Sequence, residues 1–167
     1  MSMVSIESTS FTQNPLDILE EMVSANDWAF ERASTDEMLV EVAGRWCNYR
    51  MFFFWQDEIS AMQFCCQYDM KVPAGRAGAV HELLATINER MWLGHFDIDT
   101  EEQTPMFRHT TLLRGAQGAS VEQLEDLVDI ALTECERFYP AFQFVIWGGK
   151  TAPEAVSAAI LDTVAEA

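Results

Sequence analysis

The spacing of apolar and polar positions changes period several times along the chain. Leu16, Leu19, Met22 and Val23 recur at helical spacing. Asn14 can cap, Pro15 suits the first helical position and Asp17 complements the positive helix end, so the pattern predicts a helix ending near Asn26. The period then falls to two. Residues 28–32 form a short candidate strand, and residues 38–43 a second, with Met38, Val40 and Val42 on one side. Residues 46–55 form a third, in which Tyr49, Met51, Phe53 and Trp55 alternate with Arg50, Phe52 and Phe54, so both faces of its second half are apolar. Residues 59–68 form a fourth.

Pro73, Ala74 and Gly75 break this run. Residues 76–92 return to helical spacing, with Val80, Leu83, Leu84, Ile87 and Met91 on one stripe and Gly94 as the stop. Residues 95–99 and 106–114 read as two more strands around a polar turn at 100–104. Ser120 and Gln123 form a capping box at the head of a long helix striped by Val121, Leu124, Val128, Ala131, Cys135 and Phe138. Pro140 interrupts it, residues 141–147 continue as a kinked segment, and Gly148 and Gly149 end it. A last short helix starts at Thr151.

Strands in blocks, rather than in alternation with helices, predict an α+β fold. The expected order is α-β-β-β(-β)-α-β-β-α-α, with a mostly antiparallel sheet and helices packed on one face. Residues 1–13 read as a flexible arm, 14–147 as a single domain and 148–167 as a C-terminal helical extension. A chain of 167 residues with 49% apolar content has ample core material without a metal or disulfide.

Charge narrows the partners. Twenty-seven acidic residues against ten basic ones give a net charge of −17. Such a surface repels phosphate backbones and anionic lipid, which argues against nucleic-acid and membrane partners. Solvation alone can explain the excess of acid; steering of a basic partner is the sharper explanation. Without a leader-like start or a long apolar run, the expected compartment is the cytoplasm. Cys47, Cys65, Cys66 and Cys135 form no C-x-x-C pair, and Cys65 and Cys66 on one strand would face opposite ways. They read as reduced thiols.

Catalytic patterns are missing, so no catalytic residue and no cofactor is expected. No G-x-S-x-G or G-x-G-x-x-G occurs. Gly149-Lys150-Thr151 imitates the end of a phosphate loop, but Phe144 stands where that loop needs glycine, so these residues read as a helix stop and cap. Asp97, Asp99 and Glu101 imitate a calcium loop, yet Glu102 and Arg108 occupy the positions that need Gly and Glu. His95 and His109 lie on neighbouring candidate strands and read as a structural pair; no metal is expected.

The aromatic surplus is the informative feature. Rings are dense at 46–55, at Trp92 and at 142–147. All of them can belong to the core. Alternatively some line an exposed face, because a large contiguous apolar area on a soluble protein marks an interface. The candidates for a partner-binding or dimer surface are Trp46, Phe52, Phe54, Trp55, Trp92, Phe142 and Trp147.

Lys71-Val72-Pro73 before the second helix, Ile87-Asn88 within it, Gly94-His95-Phe96-Asp97, Phe107-Arg108-His109 and the helix from Ser120 complete a recognisable pattern. Over roughly residues 15–147 the sequence resembles the YbjN-type family of bacterial sensory transduction regulators. The resemblance implies a type III secretion chaperone-like fold, whose members are small acidic dimers that bind extended protein segments and offer no catalytic residues to carry over. The chain departs from that pattern in its residues 141–167 and its double cysteine. The expected function is a non-enzymatic protein-binding or chaperone-like regulatory module, a homodimer with a protein or peptide client. A regulatory domain sensing a small ligand, through an apolar pocket near Trp92 and Phe142, is the alternative.

Overall fold

The structure, a computed structural model, describes residues 3–4 and 11–165. Helix α1 (Leu16–Ala25) leads into strands β1 (Ala29–Ser34), β2 (Glu37–Ala43), β3 (Asn48–Gln56) and β4 (Ala61–Gln67). Helix α2 (Ala77–Asn88), strands β5 (His95–Ile98) and β6 (Pro105–Leu112), and helices α3 (Val121–Ile146) and α4 (Ala152–Ala165) complete the chain. The strands form one open sheet in the order β1-β2-β3-β4-β6-β5, with every neighbouring pair antiparallel. The α+β expectation holds, and the order of elements is the expected one.

Strand parity decides which side chains enter the core. On β3, Tyr49, Met51, Phe53 and Trp55 are buried, while Arg50, Phe52, Phe54 and Gln56 on the other face are only half-buried. Register carries this face across the sheet: Val40 opposes Met51, Met51 opposes Cys66, Cys66 opposes Phe107, and Phe107 opposes Phe96. The stripe of α3 packs onto these residues, and Tyr68, Phe96, Phe138 and Phe142 meet as a ring cluster with centroids 5.3–6.3 Å apart. Each buried ring contributes on the order of 1.5–3 kcal/mol.

Polar bonds fix the helices to this layer. Tyr68 donates to the Cys135 carbonyl (2.8 Å). The Glu136 carboxylate accepts from the Tyr49 hydroxyl (2.9 Å) and from the Arg45 N–H (2.7 Å). Arg32 on β1 pairs with Asp17 (2.9 Å) and Glu20 (2.7 Å) on α1. Arg76 donates to the Val145 carbonyl near the end of α3 (3.0 Å).

Four expectations need correction or completion. Pro140 does not interrupt α3, which runs unbroken through it. A mid-helix proline costs about 3 kcal/mol. Burial of Phe138, Phe142, Val145 and Ile146 around it outweighs that cost at about 1.5–3 kcal/mol per side chain. The second helix ends at Asn88 rather than Trp92, because the chain must turn into β5. Gly94, at φ +65°, completes that turn, and a Cβ there would strike the Phe107 ring and the Arg108 carbonyl. The expected arm at 1–13 lies largely outside the described residues, but its end is tied down. Thr12 donates to the Ala116 carbonyl (2.9 Å) and Gln13 N–H to the Gln117 carbonyl (2.8 Å). Helix α4, within the segment read as an extension, buries Ala152, Ala155, Val156 and Ala159 in the common core. No helix among the described residues is long and apolar enough to cross a membrane.

Candidate functional site

Because the helices pack on one face, the opposite face of the sheet is left open. Its composition follows from register. Glu31, Leu39, Phe52, Cys65, Arg108 and His95 run across it as one row. Glu41, Arg50, Gln67, Met106 and Asp97 form the next row, and Glu37, Phe54, Gln63 and Thr110 a third. Leu39, Phe52, Phe54 and Cys65 are half-buried there with no layer above them.

The face is concave over β3, β4, β6 and β5. A depression of about 580 Å³ has Phe52, Phe54, Cys65 and Met106 among its apolar lining residues. The turn between β5 and β6 forms one wall and brings Asp99, Thr100 and Glu102 to the rim. That turn is held by Asp99, whose carboxylate accepts from the N–H groups of Glu101 and Glu102, both at 2.9 Å. The residues that imitate a calcium loop are thus a strand end and an Asx-type turn. Arg108 is tied to Asp97 (3.0 Å), and Arg50 lies over the Phe52 ring (5.2 Å).

The seven sequence candidates divide three ways. Phe52 and Phe54 line the open face. Trp55 and Phe142 are corrected: at 1% and 0% exposure they are core residues. Trp55 shares parity with Met51 and Phe53, and Phe142 sits on the buried stripe of α3. The remaining three lie elsewhere on the surface. Trp46 (37% exposed) stacks on Tyr139 with Arg45 over it; Trp92 (78%) stands in the α2–β5 connection; Trp147 (62%) ends α3. Trp92 joins Arg90, Met91, Glu134, Arg137, Phe138 and Ile160 around a separate cleft of about 430 Å³. Leu39, Cys65 and Met106 were missed as members of the open face, although the parity of β2, β3 and β4 pointed to the first two.

Burial acts on three of the four thiols. Burial, and then the neighbouring Cys66, pushes the Cys65 thiol up to about 11, and burial pushes Cys47 to about 12. Cys135 is held well above its ordinary value by the same cause. Thiols so shifted stay protonated and unreactive at neutral pH. Burial and the charge of His95 lower the basicity of His109. Among the described residues no group of three His, Cys, Asp or Glu side chains is placed to hold a metal. Gly149-Lys150-Thr151 is a cap: Glu154 N–H donates to the Thr151 hydroxyl (3.4 Å), and Thr151 N–H to the Glu154 carboxylate (3.2 Å).

Residues 15–144 match the family YbjN, described as "Putative bacterial sensory transduction regulator". No curated protein matches the chain. Similar solved structures include the "Crystal structure of YbjN, a putative transcription regulator from E. coli", at 12% identity over 71% of this chain and 84% of that one, with a TM-score of 0.50. A likeness at that identity establishes the shared fold.

Proposed function

The chain belongs to the YbjN family, and from that premise we propose that it is a non-enzymatic, protein-binding regulatory module whose recognition surface is the open face of the sheet. The observation that carries this reading is the half-buried apolar group Leu39, Phe52, Phe54 and Cys65, lying on a sheet face that no helix covers. An apolar face of this kind gains stability only when another polypeptide removes it from water. The family description as a regulator supports a binding role over catalysis. A chaperone-like action and a homodimer are two forms of the same proposal, with a client segment or a second copy covering the face.

Quantitative affinity capture with the wild type and with Phe52→Ser/Phe54→Ser tests this reading. A reproducible partner, or self-association, should be lost in the double variant. It should persist in Leu161→Ser, an exposed apolar residue on α4. Equal retention in all three forms would refute the reading.

The cleft beside Trp92 favours a second reading, a small-ligand sensor. An exposed indole, with Arg90 and the Arg137–Glu134 pair close by, offers stacking and polar contacts in a space of small-molecule size. A thermal-shift screen separates the two readings, because a ligand that binds only the folded state raises the melting temperature. Such a shift should vanish in Trp92→Ala.

A further inference from the structure

Resting on the first reading, that the open face is a recognition surface, we propose that its occupant is a cationic amphipathic helix of a partner protein rather than a second copy of this chain. Shape and charge both lead there. Neighbouring strands lie about 4.8 Å apart, so the sheet spans roughly 24 Å from β1 to β5. The apolar floor occupies the middle of that span: Leu39 on β2, Phe52 and Phe54 on β3, Cys65 on β4 and Met106 on β6. A helix about 10–12 Å in diameter, laid along the strands, would cover this floor and leave the outer strands at its flanks.

Both flanks are acidic. Glu31 on β1 and Glu37 and Glu41 on β2 stand on one side, by the same parity that places Leu39 outward. Asp97, Asp99 and Glu102 stand on the other. The two arginines of the face offset this acid only in part: Arg108 is paired with Asp97 and the Arg50 guanidinium lies over the Phe52 ring, so six carboxylates stand against two guanidinium groups. Lys or Arg side chains bordering an apolar stripe could reach both acidic flanks, since their long stems pack along apolar surface while the charged ends stay solvated. A second copy would instead set these acids against their own kind and bring a net charge of −17 against −17.

The test titrates the full chain, at low salt, into a fluorescein-labelled amphipathic helix of Leu and Lys and into its twin with Glu for every Lys. Each probe is about 18 residues, or roughly 27 Å, long. Fluorescence anisotropy should show the Lys helix binding about tenfold or more tighter than the Glu helix, and weakening with added salt. Phe52→Ser/Phe54→Ser should cost the Lys helix about tenfold in affinity. Glu31→Gln/Glu41→Gln/Glu102→Gln should also weaken it severalfold, although it changes the total charge of −17 by only three.

Equal, Phe52-dependent binding of both helices would overturn the cationic assignment and leave the recognition face standing. A wild-type dimer that Phe52→Ser/Phe54→Ser splits would do the same, by assigning the face to a second copy. Undiminished binding of the Lys helix to both variants would trace the affinity to diffuse net charge and overturn the inference. A monomer on which neither helix shows Phe52-dependent binding would defeat the inference and the underlying reading together. If Phe52→Ser/Phe54→Ser fails to fold by circular dichroism, the Gln variant alone decides.

Discussion

The side chain of Asn88 pairs with the backbone of Phe96 as a strand would. Its amide Nδ2 donates to the Phe96 carbonyl (3.0 Å), and its Oδ1 accepts from the Phe96 N–H (2.7 Å). The last residue of α2 thereby fixes the position of β5, the edge strand whose Asp97 borders the candidate face. Asn88→Ala should cost about 1–3 kcal/mol, because both backbone groups of Phe96 lose their partner. Asn88→Asp would set a carboxylate oxygen against the Phe96 carbonyl, which favours the protonated acid in the folded state and raises its folded pKa. The stability so gained is present below the unfolded value of about 3.9 and lost as pH rises through the folded value. Urea melts should therefore show Asn88→Asp gaining on Asn88→Ala in acid and falling behind it at neutral pH.

The head of α3 offers a clean measure of a capping box. Ser120 Oγ accepts from the Gln123 N–H (3.0 Å), and Gln123 Oε1 accepts from the Ser120 N–H (2.8 Å). Ser120→Ala should cost about 1 kcal/mol and lower the melting temperature by roughly 2–4 °C. Calorimetry finding no change would mean that the first turn is held by packing alone.

Glu134 should be a site of strain at neutral pH. Burial raises its carboxyl above the ordinary glutamate range, against the opposing pull of Arg137 at 3.0 Å. A raised folded pKa means that stability is full in acid and lost as pH climbs through the folded value. Glu134→Gln should thus melt higher than the wild type at neutral pH, with the gap closing in acid. A variant less stable at neutral pH would show that the ion pair dominates.

The cysteines should report on the open face. Cys47, Cys66 and Cys135 are buried and Cys65 is half-buried, with its thiol pushed up to about 11. Alkylation of the native protein at about pH 8 should be slow at Cys47, Cys65 and Cys135, whose raised values leave little thiolate, and at Cys66, which is buried, and Cys65 should react first. The Leu–Lys helix should slow Cys65 further if it covers the face. Peptide mass mapping reads both effects.

Much of the fold is legible in the sequence because the relevant forces are local. Alternation at 49–55 marks both faces of β3, and the Ser120–Gln123 pair marks the start of α3. Three features depend on distant residues and escape such reading. The passage of α3 through Pro140 depends on Phe138, Phe142 and Val145 finding partners across the sheet. The end of α2 at Asn88 depends on a bond to β5. The placement of β6 beside β4, which puts Met106 and Arg108 on the open face, is set by the return of the chain through α2. For the candidate site, counting rings identified an excess but could not sort it; strand parity separates Phe52 and Phe54 from Trp55.

The most direct test of the account is photo-crosslinking in the native cell. Phe52 is replaced by benzoylphenylalanine in one form and Val121, exposed at the head of α3, in another. The account predicts a discrete polypeptide adduct at position 52 and none at position 121. An empty lane at position 52, or the same adducts at both positions, would contradict it.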